Sequence, residues 1–359
     1  MRRTTRYIAV LSVVLLATLS IAATINIAGD PYYLLFLQSA KRDLFAAHYA
    51  QALRASSYGL VYVEQDRPIK RALIRTEAAE CAAFGSSEGM GLSPDNFPPA
   101  AARCQSFANL GVTLGGFEDF IALAALLADQ QHAKRLFVVV SPWFFRARAN
   151  TRWTQISNDV VRGAKSLDPA GFLPALADVA HVKIGAVSEA VSLYYLPASL
   201  ASIWRGADPA FKIVELTARD GAPTPGDAIT HPDGSHVFAP SWVAARHHQA
   251  IEEAHADRAA FAPDIVKRWD GVIERLRERG IAVTFVIPPY HPQMWLCDRP
   301  SVCKAFTDLE SEIVALARRR NVPVFGSYDP ARVGLAADAF IDLNHIDPVH
   351  FDAVAGLLR

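Results

Sequence analysis

The feature of the sequence with the clearest chemical potential is a serine-containing turn that follows a short apolar run. Residues 81–84 predict a strand, and Gly85-Ser86-Ser87-Glu88-Gly89 comes directly after them. A serine in a glycine-flanked turn at the carboxyl end of a parallel strand exposes its hydroxyl, and nearby backbone N–H groups can bind a developing oxyanion. This arrangement suits acyl transfer, although the same composition is also typical of a plain turn or a helix N-cap.

Two Asp-x-x-His sequences near the C-terminus supply candidates for a general base. Asp347 precedes His350 by three positions, and Asp342 precedes His345 with the same spacing. A carboxylate at this distance can orient one imidazole nitrogen, which leaves the other free to accept a proton from a serine hydroxyl. Only one of the two pairs is expected to act with the serine.

A framework of alternating strands and helices is needed to bring the two ends of the chain together, and the sequence predicts one. The predicted strands cover 81–84, 136–140, 281–287 and 322–325, and the predicted helices cover 117–131, 263–279 and 308–320. Such alternation forms βαβ units, so we expect an α/β fold, a three-layer sandwich with a mainly parallel sheet. We assign residues 75–359 to this single domain, with an irregular insertion at about 143–262.

The N-terminus predicts a membrane anchor. Residues 7–28 contain no charged side chain in 22 positions, which at about 1.5 Å per residue is long enough to cross a bilayer. Arginines occupy positions 2, 3 and 6, and the next basic residue is Lys41. This asymmetry places a tail of residues 1–6 in the cytoplasm and the remainder in the periplasm or outside the cell. We expect an uncleaved signal anchor, followed at 29–74 by a membrane-proximal helical linker.

The four cysteines fit an extracytoplasmic compartment. Two local disulfides are plausible, Cys81 with Cys104, and Cys297 with Cys303 in a proline-containing loop, although unpaired buried thiols are the alternative. Their spacing is not that of a zinc site. We expect no bound metal, because the best helical arrangement of ligands, His248, Glu252 and His255, has the composition of a solvated helix face.

Charge excludes one class of partner. The chain has 36 Lys and Arg against 36 Asp and Glu, a formal net charge of zero. Nucleic-acid binding usually requires a clearly basic face, so we set that function aside.

Taken in order, these motifs resemble those of the SGNH (GDSL-like) hydrolase superfamily. The serine turn is followed after about 25 residues by the glycine-containing segment 109–116, and an Asp-x-x-His pair lies near the end. More narrowly, the chain resembles the membrane-anchored extracytoplasmic branch that includes the D-alanyl transfer proteins of teichoic acid modification and the alginate acetyltransferases. Supporting matches are the anchor and three short segments, Asp30-Pro31-Tyr32, Arg67-Pro68-Ile69-Lys70 and Ser141-Pro142-Trp143-Phe144. The resemblance covers the anchor to residue 145 and about 281 to the end.

The resemblance implies a flavodoxin-like sandwich and assigns site residues. The nucleophile falls on Ser87 and the base on His350 with Asp347, which matches the branch more closely than His345 with Asp342. Residues on the substrate or oxyanion side are then Gly115, preferred among the glycines of 109–116, with Asn109 and Ser141. His291 is a further candidate from the residues alone, because Tyr290-His291 follows the strand 281–287 on the presumed active-site side, although a plain turn is the alternative. The family's Gly-x-Asn-Asp block is absent after Val140, and the loss of one oxyanion donor costs about 3 kcal/mol unless another group replaces it.

The implied activity is that of an extracytoplasmic serine esterase or acyltransferase. Its expected partners are an acylated cell-envelope or exported polysaccharide, an acyl donor, the membrane lipid around the anchor and an integral membrane acyl-export protein. The resemblance implies no cofactor. The alternative is a non-catalytic envelope protein that keeps the fold and binds glycan or a membrane partner.

Overall fold

Helices alternate with parallel strands through much of the chain. The computed structural model describes residues 2–29, 39–54, 58–61, 66–145, 152–193, 196–205, 213–215, 228–238, 263–295 and 300–356. The helices are α1 Arg2–Gly29, α2 Ser39–Arg54, α3 Asp66–Thr76, α4 Pro98–Ala101, α5 Phe117–Asp129, α6 Ser157–Leu167, α7 Phe172–Ala190, α8 Leu196–Arg205, α9 Pro263–Glu278, α10 Pro292–Trp295 and α11 Pro300–Arg320. The strands are β1 Tyr58–Val61, β2 Cys81–Phe84, β3 Phe107–Asn109, β4 Arg135–Val139, β5 Ile213–Glu215, β6 Ala228–Thr230, β7 His236–Phe238, β8 Ala282–Ile287 and β9 Val324–Gly326.

A parallel sheet of five strands is the centre of the fold. Its order is β3-β2-β4-β8-β9, and every neighbouring pair is parallel. The α/β class with a mainly parallel sheet, expected from the sequence, is confirmed. The four predicted strands are all present, whereas β3 has only three residues and was not predicted. Strand β2 lies between β3 and β4, so the turn that follows it lies at the carboxyl edge of the sheet, between the ends of these two strands.

Both faces of this sheet are buried, which explains why the strands are apolar without a break. On one face Ala82, Phe84 and Val138 join a cluster with apolar side chains of α5, α9 and α11. Trp269 of α9 stacks on Phe120 of α5 there, with ring centroids 4.3 Å apart. The opposite face packs mainly against short segments near residues 92–100 and 339–354.

The region expected to be an irregular insertion contains regular structure, which corrects that prediction. It includes α6, α7 and α8, and its strands β5, β6 and β7 form an antiparallel sheet with β1 in the order β5-β1-β6-β7. Buried Val160, Ala164 and Leu167 repeat at helical spacing along α6, a period that the surrounding Pro and Gly residues obscure. Strand β1 likewise interrupts the stretch 29–74 that we expected to be helical. Residues 239–262, with His248, Glu252 and His255, lie outside the described residues.

Helix α1 has the length and composition of a membrane span. Its apolar part, Thr4–Gly29, is 26 residues long and almost entirely exposed, and it is the one such helix among the residues that the structure describes. Exposure of so many apolar side chains is unfavourable in water, and a bilayer removes that cost. The structure therefore supports one N-terminal transmembrane helix.

The structure joins Cys81 to Cys104 by a disulfide, so the first of the two expected pairs is present. The bond ties the start of β2 to the loop before β3, across a sequence separation of 23.

The second expected pair, Cys297 with Cys303, is not found as a disulfide among the described residues. Cys297 lies outside them, and Cys303 lies on α11 and not in a loop, which corrects the expected setting of this cysteine. The physical reason is Pro300, which is the first residue of the helix, a position where proline is favoured because its missing N–H has no partner to lose. The pairing of Cys303 stays a prediction.

The observed disulfide generates a stability prediction. Replacing Cys81 and Cys104 together by serine is expected to lower the free energy of unfolding by about 3 kcal/mol, because the open chain loses a loop constraint of this length. Urea unfolding of the full chain in detergent measures the change. Peptide mapping without reductant is the control for the cross-link, and equal unfolding midpoints for the oxidised parent and the double variant would contradict the prediction.

Candidate active site

The serine turn begins where β2 ends. Ser87 starts a short 3-10 helix, Ser87–Gly89, and the N–H of Gly89 donates to the carbonyl of Ser86 at 2.9 Å. A Cβ on Gly85 would lie 3.0 Å from the side chain of Val139 on β4. Glycine is required there because the turn packs directly on the neighbouring strand. The side chain of Ser87 remains partly exposed at the edge of the sheet.

Three side chains form a continuous hydrogen-bonded relay that starts at this serine. The Oγ of Ser87 lies 2.8 Å from Nε2 of His345. The Nδ1 of the same ring lies 2.7 and 2.9 Å from the two carboxylate oxygens of Asp342. An ionised carboxylate accepts only, so it requires the proton on Nδ1 and leaves Nε2 to accept from the serine hydroxyl. These are the atoms and the tautomer that general-base activation of a serine needs.

The electrostatics of Asp342 keep this carboxyl ionised. Burial alone would raise its pKa, but the His345 imidazole outweighs burial, together with N–H groups donated by Asn344 and His345, and holds the pKa well below its usual value. The side chains of His345 and Asp342 are 16% and 8% exposed. The relay is therefore largely desolvated at Asp342 and reachable at His345.

A tight loop fixes the spacing of Asp342 and His345. Phe340 and Ile346 pair as an isolated antiparallel bridge, and the N–H of Ile341 donates to the carbonyl of His345 at 2.8 Å. Phe340 and Ile346 are both buried beneath the loop. The two polar side chains therefore leave the loop on the same side, towards the turn after β2.

The structure reverses our preference between the two Asp-x-x-His pairs. It places Ser87 in hydrogen-bond contact with His345, whereas Asp347 caps the 3-10 helix Pro348–Ala355 by accepting the N–H of Val349 at 3.2 Å. His350 lies on that helix, whose Phe351 and Val354 are buried in the second core cluster. The signal in the sequence is Pro348, because an aspartate followed by proline is typical of a helix start.

Gly115 lies against the serine turn, as the resemblance implies, but its N–H is not free to bind an oxyanion. Its N–H donates to the carbonyl of Val112 at 3.0 Å. A Cβ on Gly115 would lie 2.9 Å from the carbonyl oxygen of Gly85 and 3.2 Å from Cα of Ser86. The observed role of this glycine is therefore close approach of two backbones.

Asn109 is a structural residue in this fold and not an oxyanion donor. Its buried amide nitrogen lies 2.8–3.1 Å from the carbonyls of Gly89, Met90 and Leu92, and its amide oxygen accepts the N–H of Gly111 at 2.8 Å. Both ends of the side chain are thus occupied in holding the chain after the serine against the end of β3. This corrects the expectation from the resemblance.

Ser141 and His291 also follow strand ends, Ser141 after β4 and His291 after β8. The hydroxyl of Ser141 is fully buried and has no hydrogen-bond partner among the described residues. The Nδ1 of His291 accepts the N–H of Gln293 at 3.1 Å, and its backbone N–H donates to the carbonyl of Leu343. His291 therefore supports the loop that carries His345.

A glutamate beside the serine was not identified from the sequence. Glu88 is buried, its Oε2 lies 3.5 Å from Oγ of Ser87, and its Oε1 accepts the hydroxyl of buried Tyr290 at 3.2 Å. The hydroxyl of Tyr290 comes from the end of β8, two strands away from β2. Glu88 therefore connects the serine turn to another strand end, a contact that adjacency in sequence alone does not reveal.

Two buried cations of α3 hold the loops around the site. Arg67 is bidentate with Asp119 at 2.7 and 2.9 Å, and it donates to the carbonyl of Thr113 at 3.0 Å, just before Gly115. Lys70 donates to the carbonyl of Asn109 at 2.8 Å and also to that of Gly234. Burial lowers the pKa of Lys70 to about 8, against the opposing charge of nearby carboxylates.

The loop 231–236 of the middle region packs against the end of β3 and the chain that follows the serine turn. The N–H of Asn109 donates to the carbonyl of Asp233 at 2.6 Å, and the N–H of His236 donates to that of Met90 at 2.8 Å. Burial, with the positive charge of Lys70 as a further cause, holds the pKa of His236 well below its usual value, so the ring is neutral. The middle region is therefore part of the support for the serine turn.

Comparison with known proteins gives no family for this chain. No family model matches it, and no curated protein does. Within the described residues, no group of three or more His, Cys, Asp and Glu side chains is placed to hold a metal ion. Function must therefore be argued from the relay and its surroundings.

A pair of neighbouring glycines tests the packing of the site. Gly115→Ala is expected to destabilise the fold by about 1–3 kcal/mol, because the added methyl group meets the backbone of the serine turn. Gly116→Ala is the matched control, since its Cβ would have no neighbour closer than 3.5 Å and its cost as an N-cap change is about 1 kcal/mol or less. Thermal unfolding of both variants measures the difference, and equal effects would contradict the role of Gly115.

Proposed function

We propose that the chain is a membrane-anchored, extracytoplasmic serine esterase or acyltransferase with an SGNH-like three-layer fold. The observation that carries the proposal is the relay from Ser87 through His345 to Asp342. The residues at the serine turn and the order of the motifs along the chain support the superfamily, and the exposed apolar helix α1 supports the anchor.

The relay supports a two-step acyl transfer. In the first step Oγ of Ser87 attacks the carbonyl carbon of an ester while Nε2 of His345 accepts the serine proton. The alcohol then leaves with that proton, and the acyl group stays on the serine as an ester. In the second step His345 takes a proton from water or from an acceptor hydroxyl, and the oxygen of that group bonds to the acyl carbon. The bond between the acyl carbon and Oγ of Ser87 then breaks, and the proton passes from His345 to Oγ, which restores the free enzyme. Asp342 stabilises the imidazolium in both steps.

Backbone donors are proposed to bind the oxyanion, because the side-chain donor of the family is absent. The N–H of Ser87 is at the first position of its 3-10 helix, and it donates no hydrogen bond to any of the described residues. A free N–H at a helix start, beside the nucleophile, is placed to stabilise negative charge on the former carbonyl oxygen.

The substrate class follows from the resemblance and the anchor. We propose an acyl or acetyl ester of a cell-envelope or exported polysaccharide, delivered or accepted next to the membrane. The rival, a non-catalytic protein that binds glycan or an acyl-export protein, requires no hydrogen bond between the serine and a correctly oriented histidine. The intact relay is therefore the specific reason to favour catalysis.

A set of three variants tests the proposal, with the two histidines as a matched pair. We expect the purified full chain in detergent to react with a fluorophosphonate probe and to release p-nitrophenol from p-nitrophenyl acetate. Ser87→Ala and His345→Ala should lower the rate by about 10³-fold or more, as for other members of such triads. His350→Ala should keep activity within about threefold of the parent, because its loss leaves the relay intact.

The result that would reject catalysis is equally clear. Hydrolysis that is unchanged in Ser87→Ala, with all variants folded by thermal unfolding, would remove the serine from the chemistry. Loss of activity in His350→Ala with retention in His345→Ala would instead reject the assignment of the base.

The pH profile tests the role of Asp342. The pKa of Asp342 lies well below the usual value, so this carboxyl stays ionised as the pH is lowered. The loss of activity on the acid side of the pH profile, the acid limb, should therefore follow the protonation of one group, His345. In Asp342→Asn the imidazolium loses its anionic partner, so protonation requires lower pH and the limb should move to lower pH. The rate should fall on the order of 10³–10⁴-fold, since the tautomer is no longer fixed. An acid limb that stays in place would contradict the assigned partner.

A further inference from the structure

Exposed apolar side chains are concentrated in one stretch of the chain beyond α1. Outside that helix, ten large apolar side chains are exposed among the described residues, and seven of them lie between positions 173 and 204. The seven are Leu173, Leu176, Val191, Leu193, Leu200, Ile203 and Trp204. We call the last five, which lie between the C-terminal end of α7 and the end of α8, the α7–α8 apolar surface. A concentration of this kind marks an interaction surface more often than an ordinary exterior.

This surface is continuous with α1. Helix α1 packs against α7 and α8, and its buried positions near the C-terminal end include Ala22, Asn26 and Gly29, one helical face. The amide nitrogen of Asn26 donates to the carbonyls of Ala190 and Ser192 at 3.0 and 2.9 Å. A Cβ on Gly29 would collide with the backbone carbonyl of Ser199. The contact between α1 and α8 is therefore close and specific.

The length of α1 fixes the depth of this contact. A hydrocarbon core of about 30 Å takes about 20 helical residues. Counted from Tyr7, where the uncharged run begins, the core ends near Asn26. Helix α8 packs on α1 around residues 22–29, so it lies at the boundary between acyl chains and headgroups. Amphipathic helices at this boundary bury their apolar face about 5–10 Å into the membrane.

The chemistry of α8 fits that position. Its ten residues, Leu196–Arg205, contain no acidic side chain, so nothing on it is repelled by anionic lipid. Trp204 is 92% exposed, and tryptophan is enriched at the membrane interface because its ring is apolar and its N–H can bond to water or headgroups. In water this indole keeps its apolar surface solvated, whereas insertion into lipid would bury that surface with a favourable free energy.

We propose that the α7–α8 apolar surface is a membrane-docking surface that inserts into the outer side of the lipid bilayer beside the anchor. The inference rests on the membrane anchoring in the proposed function. A second attachment beside α1 stops the catalytic domain from rotating freely about its anchor. It therefore holds the serine turn in a fixed orientation to the membrane, where a lipid-linked or membrane-delivered acyl group would arrive.

The test uses the full chain reconstituted in phosphatidylglycerol and phosphatidylethanolamine vesicles. Trp204→Cys and Leu193→Cys are labelled with an environment-sensitive fluorophore, and lipids carrying a nitroxide in the acyl chain are added as quencher. Val349→Cys is the matched control, because Val349 is an exposed apolar residue outside this surface. Label taken up by the parent chain is subtracted.

We expect lipid nitroxide to quench both test positions several-fold more than the Val349 position. Equal quenching at the test and control positions would overturn the proposal. A second outcome would also overturn it: the test positions are not quenched in pure lipid vesicles, but they are shielded from a soluble quencher in native membranes. That result would assign the surface to a protein partner. Fluorophosphonate labelling of Ser87 in the same vesicles separates the two hypotheses, because quenching does not depend on catalysis.

Discussion

The hydrogen bond between Ser87 and His345 joins positions 258 residues apart in the chain, so it depends on the fold to hold two distant loops side by side. A distance of 2.8 Å leaves no tolerance for independent movement of the two loops. The serine turn is fixed by β2, which lies between two parallel partners, and the histidine loop is fixed by buried Phe340 and Ile346 on the sheet. The parallel sheet is therefore the part that converts distant sequence motifs into one site.

Buried charge links the membrane-proximal segment to that site. Burying a cation is costly unless its donors are satisfied, so Arg67 and Lys70 must keep their partners in the folded chain. Those partners include backbone carbonyls of the loops after β3 and of the loop around Gly234. Helix α3 is thus not a linker between anchor and domain, because it supplies the groups that hold the loops beside the serine.

The sequence predicts the sheet better than it predicts the site. Strands buried on both faces are continuous apolar runs, so β2, β4 and β8 can be recognised locally, whereas three-residue β3 carries too little pattern. The turn draws attention to the pair Ser86-Ser87, and the resemblance selects Ser87. The sequence does not settle the choice between His345 and His350, because both follow an aspartate at the same spacing and only the packing of each loop decides. Glu88 and Tyr290 meet only through the order of strands, which no local pattern contains.

Close packing around the serine turn is what a site with backbone oxyanion donors requires. In the proposed mechanism the oxyanion depends on backbone N–H groups, and a backbone donor moves only when the turn moves. The turn is held from several directions: Gly115 lies against Gly85 and Ser86, and the amide of Asn109 bonds to the carbonyls that follow. A side-chain donor can adjust its position by rotation, whereas a backbone donor depends on a rigid turn. The contacts of Gly115 and Asn109 that stabilise the fold here therefore also hold the proposed backbone donor in place.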